Sequence, residues 1–417
     1  MKTHVMTLLT LLLGSSLFLA ASGLDDLPRS APGDAGFSVK GLQELDAAIQ
    51  EHIDERKVAG AQTLIARKGK IVHFANYGKQ DLESGKAMAT DAIFRIYSMT
   101  KPITAVAVMM LQEQGKLKLD DPLSKFLPKF ADMNVYVGDK DGLPQYEPLA
   151  RPITLRHLLT HTAGFTYGFF GNTFVDQQYR KIKVFETKSL SALMDRLAEL
   201  PLLYQPGEQW HYSVANDVLG AVVEVASGQS FDQFLAERIF VPLDMTDTGF
   251  FVPESKMNRF AGLYQPSKDG LQRVMTDETK FDKSPDILSG GGGLVSTTAD
   301  YFRFCSMMLN GGVLDGTRLL KKESVAEMVK NQLSASALSK FRIVGCGYGL
   351  GFSVVLDKDK SPASDENGLF RWGGLANTSF WIDPENEMIC IFMTQLFPGR
   401  NPIRAEFQEL VYGAMTN

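Results

Sequence analysis

Ser98 and Lys101 stand three residues apart, where the run Phe94-Arg95-Ile96-Tyr97-Ser98-Met99-Thr100-Lys101-Pro102 meets an apolar stretch carrying Ile103, Val106, Ala107, Met110 and Leu111. That stretch has helical spacing, and proline is harmless only in the first turn of a helix, so Pro102 fixes a helix start close to Ser98. Residues three apart share a helix face, which lets the hydroxyl and the amine touch. The positive end of the helix and the apolar neighbours disfavour an ammonium, so a neutral amine able to take the serine proton is expected. Taken alone, Ser-x-x-Lys also fits a capping serine beside a surface lysine, although no other serine here has a lysine three residues on.

Two further segments add to it. Trp210-His211-Tyr212-Ser213-Val214-Ala215-Asn216-Asp217 follows the Pro206-Gly207 turn and precedes a helix marked by Val218, Leu219, Val222 and Ala226. A phenol in that loop, if held near a lysine ammonium, would have a depressed pKa and can pass a proton to a leaving group. Arg371-Trp372-Gly373-Gly374-Leu375 lies in a strand-like run whose glycines mark the close approach of a backbone or ligand. An edge strand there would offer a backbone N–H to a tetrahedral oxyanion, together with the N–H of Ser98.

The elements that must position these groups can be read from periodicity. Leu42, Leu45, Ile49 and Ile53 form one face of a helix within residues 38–56, and residues 61–67 and 70–77 read as a hairpin around Lys68-Gly69. Residues 369–375, 379–382 and 388–394 read as further strands. A closing helix has Asn401 as cap, Pro402 at its first position, and Ile403, Phe407, Leu410 and Val411 on one face. Between residues 98 and 286 the pattern is mainly helical. The expected fold is therefore α+β: an antiparallel sheet from residues 37–97 and 287–417, flanked by helices, with a mainly helical lobe inserted over residues 98–286.

Together, in this order, the three segments resemble the serine β-lactamase and penicillin-binding protein superfamily, in particular class C β-lactamases and family VIII carboxylesterases. The resemblance spans nearly the whole chain after its first residues. It includes His157-Leu158-Leu159-Thr160-His161-Thr162-Ala163-Gly164, similar to that family's Leu-Leu-x-His-Thr-x-Gly, and Gly290 to Ser296 before a helix. It implies Ser98 as nucleophile, Lys101 as base, Tyr212 as proton relay, Trp372-Gly373-Gly374 as the third motif, and the Leu375 N–H as oxyanion donor. Two departures bear on substrate: Val214 stands where the β-lactamase pattern has asparagine, the nearest amide being Asn216, and Trp372 replaces a lysine that would help hold a β-lactam carboxylate. Both look like the esterase branch, so hydrolysis of a small neutral ester through an acyl-serine is expected. A β-lactamase or D-alanyl-D-alanine peptidase stays open, as does a non-catalytic protein that binds cell-wall ligands, and so does acyl transfer to an alcohol or amine.

Bulk properties narrow the field. Of 417 residues, 44% are hydrophobic and 22% charged, so the chain can bury a sizeable core. A net charge of −5 without a basic run does not point to nucleic acid. His157 and His161 lack the glutamate of a zinc-protease motif, Gly290 to Gly293 lacks the Gly-Lys-Ser/Thr of a phosphate loop, and no Gly-x-Ser-x-Gly elbow occurs. No metal or other cofactor is implied. Cys305, Cys346 and Cys390 are scattered in apolar settings and read as buried thiols. Lys2, the apolar run Val5 to Ala21 and the small residues up to Ser22 read as a signal peptide over residues 1–22, followed by a poorly ordered leader over 23–36. Export to the periplasm or the medium is expected, with no membrane span in the mature protein.

Overall fold

The computed structural model describes residues 24, 27–268, 270–276, 281–361, 365–399 and 401–416; the expected signal peptide lies outside them. Strand β1 (Gly60–Arg67) turns through Lys68 (φ 52°) and Gly69 (φ 72°) into β2 (Lys70–Asp81). Positive φ at both central residues gives the turn whose twist suits a hairpin. With β3 (Lys86–Ala87), β4 (Cys346–Tyr348), β5 (Ser353–Val355), β6 (Phe370–Gly373), β7 (Ser379–Asp383) and β8 (Met388–Thr394), these strands make one sheet in the order β4-β5-β6-β7-β8-β1-β2-β3. Every neighbouring pair is antiparallel, and Ala61 faces Thr394 while Arg67 faces Met388. The fold is α+β, with an antiparallel sheet and helices, as expected.

Successive strand side chains point to opposite faces, and here both faces are covered. Leu64, Ala66, Phe380, Ile382, Ile389, Ile391 and Met393 share a core with α2 (Thr100–Glu113) and α4 (Thr298–Leu309). Ala61, Ile65, Trp381, Cys390 and Phe392 pack instead against α1 (Val39–Asp54) and α5 (Ile403–Gly413). Helix α1 starts where Ser38 Oγ accepts the Gly41 N–H at 3.2 Å, the bond expected of a capping serine. Helix α3 (Ala215–Ser227) packs on α2 from within the segment between the sheet strands. Among the described residues no helix is long and apolar enough to cross a membrane.

Four expectations need correction. The leader is not loose over its described part: the Ser30 N–H donates to the Ile71 carbonyl at 2.9 Å and the Ile71 N–H to Pro28 at 2.8 Å, so it lies along β2. The middle segment holds two hairpins, residues 134–140 with 143–148 and residues 264–267 with 270–273. The first is largely exposed, so it lacks the apolar alternation that marks a half-buried strand. Helix α5 begins at Ile403, one residue after Pro402; Asn401 still caps it, its Oδ1 accepting the Ile403 N–H at 2.9 Å. Finally, β6 is an interior strand, not an edge, although β5 pairs only with its Phe370 and Arg371.

Candidate active site

The short strand Phe94–Arg95 pairs with Val295–Ser296 and delivers the chain into a single 3-10 turn, Tyr97–Met99, from which α2 continues. Ser98 therefore sits in that turn, just ahead of the α-helix, and Pro102 occupies its first turn. Tyr97 has φ 41°, a left-handed conformation that residues with a side chain rarely take, and such strain concentrates at functional sites. The turn is pinned from inside: Tyr301 Oη donates to the Met99 carbonyl at 2.9 Å, and the Leu294 N–H donates to Thr100 Oγ1 at 3.1 Å.

Lys101 is fully buried. Its Nζ reaches the Gly291 carbonyl at 2.6 Å, Tyr167 Oη at 2.9 Å and Ser98 Oγ at 3.3 Å. Tyr212 Oη lies 2.6 Å from Ser98 Oγ, and the Tyr212 ring centroid is 4.5 Å from Lys101 Nζ. The structure thus brings Ser98, Lys101 and Tyr212 onto one hydroxyl.

A cavity of about 830 Å³ opens above this cluster, lined by Ser98, Tyr167, Tyr212, Trp372, Leu375 and Arg404 among others. Beyond Gly373 the chain leaves the strand, and the Gly374 N–H closes a turn onto the Thr378 carbonyl at 2.8 Å. The Leu375 N–H donates no hydrogen bond among the described residues, which leaves it free to meet a charged oxygen. Trp372 packs its ring 5.6 Å from Tyr212 and 5.2 Å from Tyr348. Val214 is buried, and Asn216 turns its amide to the Lys101 carbonyl at 3.4 Å, outside the cavity lining.

Four groups at this site escaped sequence reasoning. Tyr167 is the second phenol on Lys101, and burial holds it protonated by raising its pKa well above the ordinary value. The Gly291 backbone, whose carbonyl accepts from Lys101, is held through its N–H by Asp217, a buried carboxylate that accepts from Ser289 Oγ and from the Gly291 N–H at 3.2 Å. Burial pushes that carboxyl up from its ordinary pKa. His161 lies 5.0 Å from the Tyr212 ring, accepts the His211 N–H on its carbonyl at 2.8 Å, and is kept neutral by burial, which lowers its pKa well below the ordinary value. The one signal for Tyr167 was its place three residues after Gly164, at the end of the His-Thr-x-Gly segment.

A serine between a buried lysine and a tyrosine, on an antiparallel sheet wrapped by helices, matches the serine β-lactamase class of fold. The chain belongs to the β-lactamase family, whose model, described as Beta-lactamase, matches residues 45–412. It is similar to Esterase EstB of Burkholderia gladioli, 31% identical over 395 residues, covering 88% of this chain and 94% of that protein. Lovastatin esterase of Penicillium rubens is also 31% identical, over 370 residues, covering 82% and 90%. Among solved structures it resembles "EstCE1, a hydrolase with promiscuous acyltransferase activity", with TM-score 0.77, 26% identity and coverage of 89% and 98%. The protein is thus a hydrolase or acyltransferase of the β-lactamase family.

Proposed function

We propose that this protein is a serine carboxylesterase in which Ser98 is the nucleophile. The observation that carries the reading is that Ser98 Oγ, at the floor of the cavity, has both Tyr212 Oη (2.6 Å) and Lys101 Nζ (3.3 Å) within reach. Ser98 Oγ attacks the ester carbonyl carbon and its proton passes to Lys101. The carbonyl oxygen, now an anion, is met by the N–H groups of Ser98 and Leu375. As the tetrahedral centre collapses, the bond to the alcohol breaks and the alkoxide takes the Tyr212 proton, which Lys101 replaces. Water then attacks the acyl-serine, gives its proton to the same pair, and the acid leaves as Ser98 is reprotonated.

The ester preference is supported by Trp372, which places an indole where a cation would hold a β-lactam carboxylate, and by Val214 in place of the asparagine. The names of two relatives, an esterase of Burkholderia gladioli and a lovastatin esterase, agree with it. Export is part of the proposal, supported by Lys2 and the apolar run Val5 to Ala21.

The test is a panel of p-nitrophenyl esters set against nitrocefin, with Ser98→Ala and fluorophosphonate labelling alongside. Ester turnover exceeding nitrocefin turnover, lost with labelling in Ser98→Ala, is expected. Nitrocefin turnover that outruns the esters would make it a β-lactamase, and an unlabelled Ser98 would make it a binding protein.

A further inference from the structure

Phe169 and Phe170 are each 55% exposed, yet both line the cavity above Ser98. Two adjacent exposed rings keep apolar surface in water, which marks a contact surface more often than a packing accident. They are also held in place. Thr166 Oγ1 donates to the buried Asp176 carboxylate at 2.5 Å, while the Thr173 N–H and hydroxyl reach its other oxygen at 2.9 and 2.8 Å. The Arg180 guanidinium donates to the Gly168 carbonyl, to Gly171 at 3.0 Å and to Asn172 Oδ1 at 2.7 Å. Both anchors sit on the helix Phe174–Lys181, so the loop presents its rings as a fixed wall rather than a loose flap.

The wall is continuous with the chemistry. Phe169 and Phe170 have ring centroids 4.5 Å apart; they lie 5.2 and 5.7 Å from Tyr167, and Phe170 is 5.8 Å from Tyr212. Tyr212 carries the phenol beside Ser98 Oγ. On the esterase reading, that phenol protonates the departing alkoxide, so the alcohol oxygen leaves on the Tyr212 side and its carbon skeleton lies toward these rings. We infer that Phe169 and Phe170 form an alcohol subsite that selects esters of flat, bulky apolar alcohols.

The test uses esters that differ on one side of the scissile bond at a time. Acetates of 2-naphthylmethanol and ethanol, both primary alcohols of similar acidity, give an alcohol ratio in kcat/KM, and ethyl octanoate against ethyl acetate gives an acyl ratio. In Phe169→Ala/Phe170→Ala the alcohol ratio should fall about tenfold, the effect of losing apolar contact area of this order, with the acyl ratio unmoved. Phe169→Leu/Phe170→Leu, which keeps the apolar volume without the flat rings, should fall between and serves if the alanine variant does not fold. An unchanged alcohol ratio, or a loss confined to the acyl ratio, overturns the assignment. Binding of 2-naphthylmethanol, followed by its fluorescence, should weaken about tenfold in the same variants and does not depend on turnover. If the wild type cleaves no ester, the esterase reading fails while this binding still decides the subsite; undiminished binding in the variants rejects it.

Discussion

Lys101 Nζ lies closer to Tyr167 Oη, at 2.9 Å, than to Ser98 Oγ, at 3.3 Å. The amine is therefore held by a phenol and the Gly291 carbonyl, and aimed by them at the serine. A buried amine with three partners has little freedom to turn away, and an aimed base is worth more than a mobile one. Tyr167→Phe keeps the ring against Phe169 and Phe170 and removes only the hydroxyl. It should lower kcat for p-nitrophenyl acetate by roughly 10- to 100-fold with little change in KM. Steady-state kinetics check this; an unchanged kcat would make Tyr167 a packing residue only.

His157 links stability to pH. Its Nδ1 accepts the Thr154 N–H at 3.2 Å while its backbone N–H donates to Thr154 Oγ1 at 3.2 Å, a reciprocal cap for the helix Leu155–Leu159. Burial lowers its pKa from 6.5 to about 4, with the charge of Arg151 adding to the effect. Between those values the unfolded chain binds the proton and the folded chain does not, so stability is full above pH 6.5 and falls as pH drops toward 4. His157→Gln keeps the capping geometry without a titrating group. It should lose about 2 kcal/mol less than the wild type between pH 7.5 and 4.5, measured by urea unfolding at both pH values.

Asp300 acts with the opposite sign. It is a buried carboxyl that accepts the Asp247 N–H and the Thr248 hydroxyl, both at 2.8 Å, and burial raises its pKa from 3.8 to about 6. The folded chain keeps this proton where the unfolded chain has lost it, so the stability from this group is present below pH 3.8 and lost as pH rises through 6. Asp300→Asn retains an oxygen for both donors and cannot ionise. It should be about 3 kcal/mol more stable than the wild type at pH 8 and little more stable at pH 4, as read from denaturant midpoints.

What the sequence disclosed and what it hid follow from the range of the interactions. Pro102 and the apolar run after it placed the turn bearing Ser98, because helix starts are set by neighbours within a few residues. The hairpin of β1 and β2 was legible for the same reason, through Lys68-Gly69 and the apolar, β-branched runs on either side of it. Tyr167 was hidden because its link to Lys101 joins residues 66 positions apart, and its place just after the His-Thr-x-Gly segment does not by itself separate it from a core tyrosine. The Asp217 bond to Gly291 spans 74 positions and was equally invisible, although both residues lay in segments already singled out. The hairpin at residues 134–148 is largely exposed, with Val135 its one buried residue, and so carries no periodic signal.

Gly373 and Gly374 offer a graded test of the proposed oxyanion site, because a methyl group at each would meet a different kind of neighbour. At Gly373 the added carbon would come 2.7 Å from Arg404 Nη1 and 3.0 Å from the Thr378 carbonyl. A guanidinium at the end of a flexible side chain can swing away. At Gly374 it would come 2.5 Å from the Ile96 carbonyl and 2.2 Å from Thr378 Oγ1. The Ile96 backbone cannot yield without moving Tyr97 and Ser98, so the strand end and the serine turn must part. Loss of one oxyanion donor costs roughly 10²–10³ in kcat. Gly374→Ala should therefore lower kcat for p-nitrophenyl acetate by about two orders of magnitude, while Gly373→Ala loses less than about tenfold. Equal losses in the two variants, with both folded by circular dichroism, would place the oxyanion contact elsewhere than at Leu375.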